Sequence, residues 1–170
     1  MNKIKISLAE KFSEWVHKLK INDIPEEVVN KLQLVVMDSF GLMVSAKNEQ
    51  YIKSLINALQ ETGNCTLVGH NTKVNAFNAA IINGTAIHGE DFDDTFEGTP
   101  VHVGSVMVPA MLSSAQAKNL NGEKFLKGLV VGSELICRLA LVAPTAVHRQ
   151  GFHPTAIFGA FGSSIGVSSV

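Results

Sequence analysis

Charged residues are scarce in this chain of 170 residues: they make up 17% of it, whereas hydrophobic residues make up 46%. The formal net charge is −1, so nothing in the charge balance points to nucleic acid or an anionic membrane as a partner. A chain with this much apolar and this little charged sequence is not of the disordered class. Its length suits a single domain with a sizeable core.

Cysteine and long apolar runs are also scarce. The two cysteines, Cys65 and Cys137, lie far apart and show no metal-type spacing, which is typical of free thiols in a reducing compartment. The first residues lack the apolar segment of a signal peptide. The most apolar run, 128–143, is interrupted by Glu134 and Arg138. We therefore expect a soluble, cytoplasmic protein.

Basic residues are missing from one long stretch. No lysine or arginine occurs from Val74 to Ala117, whereas eight lysines occur in residues 1–53. The same stretch carries five acids, all between Glu90 and Glu97. A solvated helix surface usually mixes charges of both signs, so this acidic block indicates a specialised segment.

The hydrophobic periodicity predicts an all-α, bundle-like domain over residues 1–170 with little or no strand. An extended segment is predicted only at Cys65–Val68. Gly89 is expected to end the fourth helix in a left-handed conformation. The predicted helices cover 6–19, about 26–46, 51–61, 74–88, 103–118, 123–142 and a last one from 153 onward.

The last predicted helix is unusual because it is uncharged and rich in small residues. Such a helix is normally covered on all sides by other helices, and the sequence offers no obvious partners to cover it. Residues 164–170 carry no charge and no capping signal. We therefore expect the isolated chain to be poorly soluble or oligomeric.

Two histidines are candidates for acid–base chemistry because each directly precedes a predicted helix. His102 precedes the fifth helix and His153 precedes the last. Helix N-termini bind anions such as carboxylates, and their field disfavours a protonated imidazole. A neutral histidine beside a carboxylate can accept a proton. Helix capping is an alternative explanation for Asp93, Asp94 and Thr95, which are all good N-cap residues.

Several strings resemble the MmgE/PrpD family, in the order and spacing of that family. The first is NGTAIHGEDFDDT, residues 83–95, and the second is HVGSV, residues 102–106. VGSELICRL at 131–139 and GFHPT at 151–155 follow. The similarity extends over essentially the whole chain, but over only the N-terminal part of the family's length.

The resemblance implies a lyase or isomerase that acts on a small di- or tricarboxylate. In this family a proton next to a carboxylate is removed, and dehydration, decarboxylation or epimerisation follows. The resemblance implies catalytic roles for His102, His153 and Asp91, and substrate-binding roles for Thr95 and Asp94. It also implies a homodimer that needs neither a metal nor an organic cofactor.

The resemblance further implies parts of the family's proteins that this chain does not contain. These are an α+β lid domain and additional basic residues from the later sequence. We therefore expect the isolated chain to be inactive, and to associate either with itself or with a missing C-terminal half. Two departures from the family pattern, Val103 in place of proline and Glu90 in place of an apolar residue, leave the subfamily and its substrate open.

Three other interpretations fit parts of the sequence. Residues 91–95 match the D-x-D-x-T pattern of haloacid-dehalogenase-type phosphotransferases, which requires a buried β-strand just before it. The acids at 93–97 resemble the magnesium motif of all-helical isoprenoid synthases, although a second such motif is missing. A helical fragment without catalytic activity, which only mediates dimerisation, is the third.

Overall fold

The computed structural model describes residues 6–59 and 61–170, and helices dominate it. Eight α-helices and a short two-stranded sheet are found among these residues. The helices are α1 (Leu8–Lys18), α2 (Glu26–Ser45), α3 (Gln50–Ala58), α4 (Ala76–His88), α5 (Gly104–Lys118), α6 (Gly122–Val142), α7 (Ala146–Arg149) and α8 (Pro154–Ser168). The strands β1 (Cys65–Thr66) and β2 (Lys73–Val74) pair antiparallel. The all-α prediction is therefore confirmed.

Most predicted helices have the expected positions, and the differences arise at their ends. Val74 was expected to begin α4, but it lies in β2, opposite Cys65. The helix begins only after Asn75, whose side chain accepts a hydrogen bond from the Asn78 N–H at 2.8 Å and caps it. The third helix ends at Ala58, earlier than predicted, and Gln60 lies outside the described residues.

The core consists of two clusters of buried side chains. The first, around Met43, Ile52 and Leu67, is built by α2, α3, α4 and the small sheet. The second, around Met107 and Ile136, is built mainly by α5, α6 and α8. Helices α4 and α5 pack closely at Gly84, where a side chain would lie 3.2 Å from the Ser105 carbonyl oxygen. This contact joins the two parts of the core.

Helix α8 is covered on one side by α5 and α6, so the expectation that its partners are absent from this chain is wrong for that side. Glycines of α6 and α8 face one another in two pairs, Gly128 with Gly166 and Gly132 with Gly162. A Cβ on Gly132 would lie only 2.6 Å from the Gly162 carbonyl oxygen. The pairing order is antiparallel, and the absence of side chains allows the two backbones to touch. The opposite side of α8 remains exposed, with Phe161 at 58%.

Two helices expose large apolar residues. In α1 only Val16 is buried, and Leu8 and Trp15 are exposed. In α2, Leu34 and Met37 are exposed. By length and composition, the segment Glu26–Asn48, with a mean hydropathy of 1.3, would suffice to cross a membrane. A single helix of this kind is weak evidence, because core helices of soluble proteins have the same properties.

Candidate active site

The segment that follows α4 turns back sharply toward the helix. Gly89 has right-handed helical geometry, with φ −62° and ψ −27°, so its predicted left-handed cap is wrong. The residue in the left-handed region is Asp91, with φ 57°. Glycine at 89 fits for a different reason: a side chain there would overlap the outer end of the Tyr51 ring unless that ring moved. The Tyr51 hydroxyl donates to the Glu90 carboxylate at 3.0 Å, which ties the start of the segment to α3.

Asp93 lies at the centre of the site, between two histidines. Its side chain is fully buried, with 0% exposure. Both carboxylate oxygens lie 3.0 Å from Nδ1 of His88, the last residue of α4. Nδ1 of His102 lies 3.3 Å from Oδ1 of the same carboxylate, but the contact is poorly aligned for a hydrogen bond. The His102 Nε2 atom lies 3.6 Å from the exposed Asp91 carboxylate.

His153 joins this group from the start of α8. Its Nε2 atom lies 3.3 Å from Nε2 of His88. The ring centroids of His88 and His102 are 4.7 Å apart, and those of His102 and His153 are 6.5 Å apart. Residues separated by up to 65 positions thus bring three imidazoles together, two of which lie beside one buried carboxylate.

Thr155 connects the acidic segment with α8. Its buried hydroxyl accepts a hydrogen bond from the backbone N–H of His102 at 3.0 Å. Because Thr155 is two residues from His153, this bond fixes the backbone positions of both candidate catalytic histidines relative to each other. Neither its partner nor its role is evident from the sequence.

The surroundings of His153 favour its neutral form. Burial lowers the pKa of His153, and positive charge on the neighbouring His88 and His102 lowers it further. The Asp91 carboxylate acts in the opposite direction but does not prevail. The expectation of a neutral histidine therefore agrees with this direction, although desolvation and like charges cause it rather than the helix field.

An open groove begins at the histidines. Its volume is about 700 Å³, and its walls are mostly apolar side chains of α4, α5 and α8. His88 and His153 line one part of it, and Phe77 and Ile81 line another. His102 and Asp91 are not part of the groove lining, although they contact the same cluster.

The two predicted substrate-binding residues lie on another side. Asp94 and Thr95 line a second cavity of about 700 Å³, together with residues of α2 and α6. Oδ1 of Asp94 accepts a hydrogen bond from the Gly104 N–H at 2.9 Å and so caps α5. Burial raises the pKa of Asp94, and its backbone hydrogen bonds only partly oppose this. The structure thus brings together Asp91, His102 and His153 but not Asp94 and Thr95.

Two residues of the cluster, His88 and Asp93, were missed as site residues in the sequence. A histidine at the end of a helix, followed five residues later by an aspartate in a segment without cations, is the signal that could have identified them. Helix capping is the alternative explanation that the sequence offers for Asp93, Asp94 and Thr95, and in the structure Asp94 is the one that caps α5. The N-terminus of α5, one of the two expected anion sites, is therefore partly occupied by the Asp94 carboxylate.

The rival interpretations find little support in this geometry. The residues before the D-x-D-x-T pattern form helix α4, not the buried strand that a phosphotransferase of the dehalogenase type needs. A magnesium cluster would need convergent carboxylates whose oxygens are available to the ion. Asp93 is instead buried between histidines, and Asp94 caps a helix.

The cluster also contains donor atoms of the kinds that transition metals bind. Ligand atoms of His88, Asp91, Asp93 and His102 lie within 4.8 Å of one another. Imidazole and carboxylate together suit several first-row metals. The family resemblance implies that no metal is needed here, and this remains a prediction for a binding experiment.

Comparison with known proteins assigns the chain to a family. Residues 10–170 match the model of the MmgE/PrpD N-terminal domain. A cis-aconitate decarboxylase-like protein, oryM, of Aspergillus oryzae is 31% identical over 157 residues, which are 85% of this chain and 32% of that protein. Cis-aconitate decarboxylase of Aspergillus terreus is 24% identical over 92% of this chain and 34% of its own length. The human cis-aconitate decarboxylase is 26% identical over 95% of this chain and 35% of its own.

The Aspergillus terreus and human relatives are enzymes by name. The chain spans about a third of the length of all three relatives. The matched region includes the segment after α4, His102 and His153, which build the cluster. The resemblance seen in the sequence motifs is thereby confirmed: the chain belongs to the MmgE/PrpD family and corresponds to the N-terminal domain of that family.

Proposed function

We propose that this chain supplies the proton-transferring histidines of an enzyme that acts on a small di- or tricarboxylate. The observation that carries the proposal is the cluster beside an open groove in which His88 and His102 approach the buried Asp93 and His153 contacts His88. Among the reactions that the resemblance implies, we favour decarboxylation of a substrate like cis-aconitate. The names of the relatives support this choice.

His153 and His102 act as the proton carriers in the proposed reaction. In a decarboxylation the bond between carbon and one carboxylate breaks, carbon dioxide leaves, and the remaining electron pair takes a proton from an imidazolium. In a dehydration or epimerisation, a neutral imidazole first removes a proton next to a carboxylate. A lowered pKa suits His153 to both tasks, because it is neutral near pH 7 and is a stronger acid once protonated.

The substrate carboxylates need positive charge that this part of the chain does not supply. No lysine or arginine occurs between Val74 and Ala117, and the site carries Glu90, Asp91 and Asp93. Repulsion between these acids and an anionic substrate opposes binding. We therefore propose that further basic residues come from a segment outside this chain or from a second subunit. A homodimer and a cytoplasmic location belong to the same proposal.

The test measures turnover of cis-aconitate, 2-methylcitrate and iminodisuccinate. The proteins compared are this chain alone and the product of the longest reading frame that contains it. We expect turnover only for the longer product. We also expect losses of about 10²–10⁴-fold in kcat for His102→Gln and His153→Gln, the range for general acid–base groups.

The exposed His17 of α1 provides the matched control. His17→Gln makes the same chemical change far from the cluster in sequence, and its activity should equal that of the unchanged protein. Full activity of the His153→Gln variant would contradict the assignment of His153. A longer product that is folded but inactive on all three substrates would instead favour the interpretation of a non-catalytic fragment.

A further inference from the structure

We propose that Asp93, His88 and His153 form a hydrogen-bonded proton relay, in which Asp93 fixes the tautomer of His88 and His88 exchanges a proton with His153. This inference rests on the proposed function, since it assigns the path of the proton that His153 carries. Asp93 and His88 are positioning residues in this relay, because they act through His153.

The first link is the contact between Asp93 and His88. Both oxygens of Asp93 lie 3.0 Å from the His88 Nδ1 atom, and the carboxylate is fully buried. An ionised carboxylate only accepts hydrogen bonds, so the His88 Nδ1 atom must carry a hydrogen. In a neutral His88 the lone pair is then on Nε2, because the hydrogen bond at one ring nitrogen determines the state of the other.

The second link follows from the first. Nε2 of His88 lies 3.3 Å from Nε2 of His153. Two nitrogens can share a hydrogen bond only if one donates and the other accepts. Because a neutral His88 accepts, His153 must donate from Nε2, and its own lone pair is then on Nδ1. The relay therefore predicts which nitrogen of His153 reacts with the substrate.

The relay moves one proton and leaves all atoms balanced. When the substrate C–H bond breaks, its electron pair stays on carbon and the proton binds to Nδ1 of His153. The proton on Nε2 of His153 passes to Nε2 of His88, so His153 is neutral again. The positive charge is now on His88, in contact with the Asp93 carboxylate. The reverse sequence delivers a proton to carbon, as a decarboxylation requires.

Other titratable groups face the same atoms and must be separated from the relay. His102 also approaches Oδ1 of Asp93, at 3.3 Å, and so competes for it. Asp91 and His148 act on the charge of His153 from a distance. A loss of activity alone would not distinguish the relay from these influences, so the test must identify the tautomers directly.

The primary test is magic-angle-spinning nuclear magnetic resonance of the sedimented 170-residue chain, isotope-labelled at the histidine ring nitrogens, because this method works equally on an oligomeric or poorly soluble protein. Long-range proton–nitrogen spectra show which ring nitrogen carries hydrogen, and they are recorded at a pH where the histidines are neutral. We expect His88 to carry its hydrogen on Nδ1 and His153 to carry its hydrogen on Nε2. A His88 with its hydrogen on Nε2 and a bare Nδ1 would overturn the relay.

Two substitutions at position 93 make the test sharper. Asp93→Leu has a similar size but cannot accept a hydrogen bond, so the hydrogen of His88 should move to Nε2. Two N–H groups cannot face each other at 3.3 Å, so the hydrogen of His153 should then move to Nδ1. Asp93→Asn keeps a carbonyl oxygen as acceptor and should preserve both tautomers.

The possible outcomes are distinct. A change at His88 without a change at His153 would show that the two rings are not hydrogen-bonded, and would overturn the relay. If Asp93→Leu does not fold, the tautomers of the unchanged chain and of Asp93→Asn decide the question. His17→Gln, the control at an exposed histidine, should leave the signals of His88 and His153 unchanged.

Activity provides a second, separable test in a form of the protein that turns over substrate. Asp93→Asn cannot neutralise a positively charged His88, so kcat should fall by about 10²-fold or more while KM changes far less. Unchanged kcat would overturn the relay but not the proposed function. Absence of turnover in every form would contradict the proposed function, whereas the tautomers would still decide whether the hydrogen bonds exist.

Discussion

The hydrogen bond between Thr155 and His102 makes a specific prediction about stability. Replacing Thr155 with valine preserves the branched shape of the side chain but removes its oxygen. The substitution removes only the hydroxyl, which accepts a hydrogen bond from the His102 N–H at 3.0 Å. Thr155 itself is only 4% exposed. Since a buried donor that loses its acceptor bears the cost of its desolvation, we expect a loss of about 1–3 kcal/mol.

This loss is measured by urea unfolding at one fixed protein concentration. The midpoint should fall while the m-value stays constant, because the surface exposed on unfolding does not change. The thermal midpoint should fall by about 2–4 °C for each kcal/mol in a domain of this size. The nuclear magnetic resonance signals of the His102 ring should also shift, because the His102 backbone N–H loses its hydrogen-bond acceptor.

Two variants separate the hydrogen bond from other effects. Thr145→Val makes the same change at an exposed threonine that caps α7 without a side-chain hydrogen bond, and it should leave stability unaltered. Thr155→Ser keeps the hydroxyl and should retain the signals of His102. If Thr155→Val is as stable as the unchanged chain, the hydroxyl does not anchor His102, and our account of how the two histidines are held together is wrong.

Three further predictions concern the pH dependence of stability, the binding of divalent metals, and the solubility and activity of the isolated chain. Because the pKa of His153 lies below its ordinary value of 6.5, the unfolded chain binds a proton more readily than the folded one. The free energy of unfolding should therefore fall as pH decreases through about 6.5; His153→Gln should weaken this dependence and His17→Gln should not. Calorimetry with Mg²⁺ and Mn²⁺ should detect no micromolar binding at residues 90–97, and a tight complex would reopen the isoprenoid-synthase interpretation. The isolated chain should be oligomeric or poorly soluble and should not turn over methylcitrate, cis-aconitate or iminodisuccinate, so a monodisperse monomer with activity would refute this expectation.

The sequence predicted the helical architecture well because the helices have strong local signals. Apolar periodicity and polar caps defined the helices to within a few residues, as at Asn121 before α6. The errors arose where tertiary contacts decide the conformation. A glycine after a helix is typical of a left-handed cap, yet Gly89 has right-handed geometry. A side chain at this position would overlap the Tyr51 ring, and a sequence pattern does not show this contact. The expectation of an uncovered last helix overlooked the four-residue glycine spacings at 128 and 132 and at 162 and 166, which match each other.

The candidate site was predicted in part. Family motifs identified Asp91, His102 and His153, and the structure places these residues in one cluster. Their catalytic roles stay predictions. His88 and Asp93 were missed because their contact depends on the turn at Asp91, whose positive φ is not encoded by a glycine. Asp94 and Thr95 share the motif with Asp91, but neighbouring residues in a loop point in different directions, and sequence proximity cannot resolve this.

The glycine contacts between α6 and α8 determine the axial position of His153. Because the glycines let the two backbones touch, a slide of α8 by one turn, about 5.4 Å, would place Phe158 opposite Gly132 in one direction or Val170 opposite Gly128 in the other. The register of the two helices is therefore discrete rather than adjustable. His153, at the first residue before α8, cannot drift along the helix axis away from His88. The alignment of the histidine cluster thus depends on glycines of α8 that lie about two and a half to three and a half turns away from His153 and carry no functional group of their own.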